Sequence, residues 1–333
     1  MISLKVSETL RDLQGNVTER NTTNYSPMLT ELTVTTQRLD AAGKMVFSLV
    51  EDKGIAIREG AKVTCKVDGE NLFSGYVFKA ERNQKHRVQY TCYDQFRYLK
   101  AKASYAFTAM SVEDIIKQIA KDFQLKVGDL ASTGYKIPSL IKDNCSCLDI
   151  IFAALQETTI QTGKVFIFYD DFGKLTLVES KKLKWNKLIG DASLLSEYSY
   201  SRSIDSNTYN RIKLARPNSN TGRADTYVSK NSETQKQWGV LQLYKVVDEN
   251  MNAAQIDQLC QTYLRYYDKV WQTLKLSKII GETKIRAGWF VPVMLSDIEN
   301  TSKVRYFLAE KVTHKFKGDM HTMDIEVKNI DEV

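Results

Sequence analysis

Two of the three histidines, His314 and His321, bracket residues 315–320, and the turn Gly318-Asp319 between them lets the rings face each other across a hairpin. Facing imidazoles are the start of a metal site, but even a catalytic zinc takes three protein ligands. No third ligand stands nearby, so a structural pair is the expected reading. Cys145-Ser-Cys147 lacks a second pair and a nearby His, so it does not read as a zinc site. So few histidines leave little room for a Ser-His-Asp or Cys-His arrangement, and His86 falls in or beside a strand. Ser139-Leu-Ile-Lys142 has the spacing of a Ser-x-x-Lys nucleophile, but it follows Pro138 in an expected loop and lacks the companion motifs. Asp170-Asp171 and Asp248-Glu249 lie at a hairpin tip and before a helix, where acids are favoured on local grounds. A glycosidase needs two carboxylates held across a cleft, and no sequence displays that separation. Phosphate-cradling glycine loops are absent. The residues therefore imply no catalytic, cofactor-binding or metal-binding group, and a β-rich interaction protein.

Charge and composition narrow the partners. The 333 residues carry 47 Lys and Arg against 40 Asp and Glu, a formal net charge of +7. The excess is spread as +3, +2 and +2 over residues 1–100, 101–190 and 191–333, so no segment is a basic module and specific nucleic-acid binding is not expected. Lys181, Lys182, Lys184 and Lys187 flank Trp185 and read as a solvated connector. The longest apolar runs, 148–155 and 289–295, are broken by Asp149 and Pro292, so no membrane insertion is expected. Lys5 and Glu8 interrupt the start before a signal-peptide core can build, which implies folding and assembly in a cytoplasm. Five cysteines, an odd number without a framework of spacings, read as free thiols; Cys65, Cys92 and Cys260 fall on apolar faces.

The elements that position these residues follow from period. Ile2, Leu4 and Val6, then Met45, Phe47 and Leu49, Val63, Cys65 and Val67, and Val88, Tyr90 and Cys92 alternate with polar neighbours, as half-buried antiparallel strands do. At residue 111 the period becomes 3.6. Ser111 caps a helix with the stripe Val112, Ile115, Ile116, Ile119, Ala120 and Phe123, and Ser146 caps a second with Leu148, Ile151, Phe152 and Leu155. Strands 164–169 and 174–178 flank the turn at 170–173, and further strands are expected from about residue 197 onward. One helix, 253–268, interrupts these, with Asn252 and Gln255 as a capping box and the stripe Ile256, Leu259, Cys260, Tyr263, Leu264 and Tyr267. That stripe is expected to dock on the C-terminal barrel. Tyr266 points elsewhere, an exposed tyrosine suited to an interface. The order is β over 1–100, where strands at short spacing imply a small barrel or sandwich, an α+β middle domain over 101–190, and β again over 191–333 with one helix inside: an α+β, β-rich chain.

The runs Leu72-Phe73-Ser74-Gly75-Tyr76-Val77-Phe78 and Tyr93-Asp94-Gln95-Phe96-Arg97-Tyr98-Leu99 resemble the baseplate hub protein of contractile phage tails. The likeness is to the hubs of PBSX-type prophages and of R-type bacteriocins, the diffocin-like, XkdQ/YqbQ-like hub family. Tyr169-Asp170-Asp171-Phe172-Gly173-Lys174-Leu175, Tyr209-Asn210-Arg211-Ile212, Gly239-Val240-Leu241-Gln242, Arg286-Ala287-Gly288 and His314-Lys315-Phe316 with Met323 follow in the family's order. Gly75, Tyr93, Asp94, Tyr98, Leu99, Tyr209, Asn210, Gly239, Gln242, Gly288 and His314 are the motif residues this resemblance marks as structural. It implies two tube-like β-barrels per chain, an N-terminal one over 1–100 and a C-terminal one over 191–333, and a homotrimer whose six barrels form a ring, meeting a six-fold tail tube on one side and a three-fold central spike on the other. It also implies contacts with the tape-measure protein and other baseplate proteins, and no cofactor. Some relatives carry a cell-wall hydrolase; the end of this chain at Val333 is taken to leave no room for one. A phage-associated cell-wall hydrolase and an oligonucleotide-binding barrel are the competing readings.

Overall fold

The computed structural model describes residues 1–11, 17–50, 57–82, 87–190, 197–205, 207–218, 222–296 and 304–328. The alternating N-terminal segments are strands, paired in the order Leu29–Gln37, Lys44–Val50, Arg87–Tyr93, Glu70–Arg82, Lys62–Val67, Ile2–Arg11 and Val17–Asn24. Every pairing is antiparallel. Their apolar positions close on one core containing Leu4, Val6, Val34, Phe47, Leu49, Val63, Cys65, Tyr90 and Cys92. Cys65 and Cys92 are buried and free, the packing role their alternation implies.

The α+β segment follows. Helix α1 (Val112–Asp122) starts at Ser111, whose Oγ accepts the Asp114 amide, and helix α2 (Cys147–Thr162) starts at Ser146, whose Oγ accepts the Asp149 amide at 3.1 Å. Gly163, at φ +69°, ends α2. Both helices bury their apolar residues with Phe96 and against the strands Phe166–Asp170 and Leu175–Glu179. The expected loop at Pro138 is instead a strand, Lys136–Ser146, paired with Lys102–Ser111. Pro138 is exposed in this two-stranded ladder, where its missing N–H disrupts no second partner. Ser139 and Lys142 are thus strand residues opposite Thr108 and Tyr105.

The remaining strands do not stand apart from the first set. Glu197–Ser203, Trp271–Ile280, Met320–Lys328 and Arg305–Lys317 pair in that order, and Phe290–Met294 joins the N-terminal half of Arg305–Lys317. The C-terminal half of Arg305–Lys317 pairs with Leu29–Gln37, from Lys311 opposite Gln37 to Lys317 opposite Glu31. One 13-stranded sheet therefore runs through both ends of the chain. Among the described residues the two expected barrels are not closed by strand pairing: Val17–Asn24 ends the order on one side and Glu197–Ser203 on the other. The two sets join because the 13-residue strand Arg305–Lys317 has edge enough for two successive partners.

Between Ser203 and Trp271 a separate layer forms. Arg223–Lys230, Arg211–Asn218 and Gln242–Val246 make a three-stranded sheet, the last pair parallel, with a short helix α3 (Ser232–Trp238) in the crossover. Helix α4 (Ala253–Tyr267) has the capping box read from Asn252 and Gln255. Its stripe Ile256, Leu259, Cys260, Tyr263 and Tyr267 packs on Ile212 and Leu214 of this small sheet and on Ile160 of α2, not on the C-terminal strands. Tyr266 is also not exposed: it is half-buried, edge-on to Tyr267 at 4.8 Å and to Trp271 at 6.2 Å. The connector at 181–187 is partly structural, because Trp185 is buried and its amide donates to the Phe290 carbonyl at 2.8 Å.

Candidate functional site

Seven of the eleven motif residues, Gly75, Tyr93, Asp94, Tyr98, Leu99, Gly288 and His314, lie where the N-terminal strands, the α+β segment and the C-terminal strands meet. Tyr93 ends its strand and Asp94 caps the 3-10 turn Gln95–Lys100, its Oδ1 accepting the Phe96 amide at 3.0 Å and its Oδ2 the Gly43 amide at 2.9 Å. A side chain at Gly43 would overlap that carboxylate. Gln95 Nε2 donates to Asp170 Oδ2 at 3.0 Å while its Oε1 accepts the Lys126 amide at 2.8 Å. Asp170 Oδ1 accepts the Gly173 amide at 2.6 Å. Arg286 donates to the Asp170 carbonyl at 2.9 Å and lies 4.1 Å from the centre of the Tyr169 ring. Burial, then repulsion from Asp170, raises the Asp94 carboxyl well above the usual range. Burial raises Asp170 as well, against the Gly173 amide, Gln95 and Arg286.

Glycine holds the same junction close. A methyl at Gly75 would strike the Tyr93 carbonyl oxygen, and Gly288, at φ +96°, leaves no room for one beside Ile167. Leu99 is fully buried, whereas Tyr98 stays 39% exposed beside Tyr76 and Phe78. His314 and His321 do face each other, Nδ1 to Nε2 at 3.0 Å, and His314 Nε2 lies 2.7 Å from the Ile285 carbonyl. A carbonyl only accepts, so His314 carries its proton on Nε2 and Nδ1 accepts from His321. Burial pushes His314 down to about 4 and lowers His321 too. The rings thus pair across the hairpin, as the spacing implies. His86 lies outside the described residues.

The other motif residues form a second cluster. Asn210 is fully buried; its Nδ2 donates to the Gly239 carbonyl at 2.8 Å and its Oδ1 accepts the Leu241 amide at 2.9 Å. Gly239, at φ +77°, ends α3, and Gln242 begins the strand that runs parallel to Arg211. Tyr209 packs edge-on to Tyr267 at 5.4 Å. Asn210 thus ties together two segments about thirty residues apart in the chain, as a clamp on the crossover.

Two contacts at the joins escaped sequence reasoning. Gln95 reaches Asp170 across 75 residues, and Arg38 holds Glu310 in a two-pronged ion pair across 272. No local signal marks either. Arg38 and Glu310 border a cavity of about 490 Å3 that also includes Phe152, Gln156, Tyr266 and Trp271. Asp94 and Asp170 line neither this cavity nor the larger one, of about 1070 Å3, beside His321. Their oxygens all accept backbone or amide donors, as at a structural joint. Among the described residues no group of three His, Cys, Asp or Glu side chains could hold a metal, and no helix is long and apolar enough to cross a membrane.

Comparison with known proteins places this architecture. The chain is 32% identical over 312 residues to the uncharacterized protein YqbQ of Bacillus subtilis (strain 168), covering 92% of this chain and 94% of that one. It is 34% identical over 275 residues to the phage-like element PBSX protein XkdQ of the same organism, covering 82% of each. The crystal structure of the 43 kDa tail protein of prophage MuSo2 from Shewanella oneidensis superposes with a TM-score of 0.65 at 15% identity, over 98% of this chain and 97% of that one. The fold is therefore that of a prophage tail protein. The family profile described as YQBQ-like matches residues 32–328, and with these two relatives it shows that the chain belongs to the YQBQ-like family.

Proposed function

We propose that this protein is a structural, non-enzymatic baseplate hub of a contractile phage tail, or of a tail-like particle of the R-type bacteriocin kind. Three copies would form a ring between the six-fold tail tube and the three-fold central spike, with the tape-measure protein and other baseplate proteins as further neighbours. The carrying observation is the sheet that runs through both ends of the chain, because it joins two strand-rich parts edge to edge. We divide the chain as 1–100, 101–190 and 191–333, with the two outer parts as the tube-like units. The kinship with a protein of the phage-like element PBSX supports the particle, and the bonded, enclosed acids Asp94 and Asp170 speak against a cell-wall hydrolase. Assembly in the cytoplasm of the producing cell fits this role.

Imaging of assembled tails tests the reading. Three copies should occupy the tube–spike junction, with the two strand-rich units of each chain related by a rotation of roughly sixty degrees. Six copies there, or a position on the tail fibres, would exclude the hub.

A further inference from the structure

The two ends of the great sheet are built to one plan. Arg305–Lys317 and Glu70–Arg82 each pair with the following strand of a hairpin, and each of these two ladders carries one irregularity, between Ala309 and Lys311 and between Val77 and Lys79. Aligning those irregularities sets Glu310 against Phe78. The correspondence then extends without adjustment: Phe290 opposes Leu308 as Lys62 opposes Tyr76. The amides of Gly288 and Gly60 donate at 2.8 Å to the carbonyls of Ala309 and Val77, and the amides of Ala309 and Val77 donate at 2.9 Å to the carbonyls of Trp289 and Ala61. Both glycines have positive φ, +96° and +82°. On the far side, Trp271–Ile280 corresponds to Lys44–Val50, and Glu197–Ser203 to Leu29–Gln37, with Ser203 matching Gln37 and Ser201 matching Thr35.

The repeat differs in one respect. Beyond Ala309 the outer edge of Arg305–Lys317 is taken by Leu29–Gln37, and the Arg38 amide donates to the Glu310 carbonyl at 2.8 Å. Beyond Val77 the matching edge of Glu70–Arg82 has no strand against it among the described residues, and Lys79, Ala80 and Glu81 are exposed. The match of Leu29–Gln37, the strand Glu197–Ser203, ends the sheet with Ser199, Ser201 and Ser203 exposed. A strand edge at 79–81 with no strand against it among the described residues and a strand at the end of the described order are complementary halves of one antiparallel joint.

We propose that a second copy of this chain lays its strand Glu197–Ser203 along residues 79–81, repeating between chains the joint that Leu29–Gln37 makes with Arg305–Lys317 within one. This rests on the trimeric reading above and names the surfaces that close the ring. Lys79 then stands opposite Ser203 of the next copy, and Glu81 opposite its Ser201. The Ile204 amide of that copy donates to the Phe78 carbonyl. Where the joint within the chain sets Arg38 on Glu310, the joint between chains sets Ile204 on Phe78, both half-buried in the single chain. An apolar contact in place of an ion pair suits an association surface, since its burial drives assembly without a partner charge being stripped of water. Two joints of one geometry alternating round a circle give equal steps, and at the sixty-degree step of the trimeric reading three chains close the ring and leave neither of these two edges to recruit a fourth.

A cysteine pair tests the register. Directly opposed residues in an antiparallel ladder have Cα atoms about 4.5–5.5 Å apart, within disulfide reach. Tails assembled with Lys79→Cys together with Ser203→Cys should, on oxidation, yield the chain as a covalently closed trimer that a reductant returns to monomers. Lys79→Cys with Ser199→Cys, offset by about 13 Å along the strand, should stay monomeric, as should either single variant. Three copies seen at the junction with no cross-link at the matched pair overturn this joint and leave the trimer standing. Absence of a three-fold ring overturns the trimer itself. A cross-linked ladder running past three copies overturns ring closure.

Discussion

A histidine kept neutral inside a hairpin makes stability answer to acid. His314 is held at about 4, against about 6.5 for a free imidazole, because burial disfavours its charged form. Between these values the unfolded chain binds the proton and the folded one does not, so stability falls as pH drops from about 6.5 to about 4, by about 3 kcal/mol in all. Asp94 and Asp170 act in the opposite sense. Their raised carboxyls keep protons that the unfolded chain has lost, so their contribution is full at low pH and fades as pH climbs through the raised values. Denaturant midpoints of wild type and His314→Gln across this range separate the two effects. The variant should lose His314's share of the acid-side fall and keep that of His321, and an unchanged slope would place the sensitivity elsewhere.

At the level of elements, helix α4 offers the sharpest contrast. Leu259 faces Ile212 and Leu214, so Leu259→Asp buries an unpaired carboxylate and should cost several kcal/mol, whereas exposed Gln258→Ala should stay within about half a kcal/mol. Equal shifts in the denaturant midpoint would contradict the packing. The helix itself was plain in the sequence because a capping box and a 3.6-residue stripe are local signals, and the same holds for the starts at Ser111 and Ser146. Its docking surface was not, since a stripe tells which face is covered and not what covers it. Strand alternation likewise marked the N-terminal core residues, but the partners at the joins stayed hidden. Gln95 and Asp170, or Arg38 and Glu310, are ordinary polar residues until the fold brings them within 3.1 Å. Tyr266 was misplaced for a related reason: it lies off the stripe of α4 and is covered by Trp271 from beyond the helix.

For the molecule as a whole, the sheet makes the N-terminal unit depend on the far end of the chain. Phe316 sits in the N-terminal core, and Leu29–Gln37 has its second ladder only from Arg305–Lys317. Residues 1–100 produced alone should therefore aggregate or remain loosely packed, with an open apolar rim and an unpaired edge. Adding residues 271–328 in the same cell should recover soluble material that co-purifies with them. A monomeric, sharply melting fragment 1–100 would refute the dependence.

The same join sets a clock for synthesis. Thr35 and Thr313 hydrogen-bond across it at 3.3 Å, yet 278 residues separate them. A ribosome adding 5–20 residues per second needs roughly 14 to 56 s to cover that distance. Throughout that interval the nascent strand Leu29–Gln37 carries a bare edge in a cell making other copies of the same strand, some already able to offer it a matching Arg305–Lys317. Exchange of that strand between nascent and finished chains is thus the characteristic misfolding route of this architecture, and early capture by a chaperone its natural remedy.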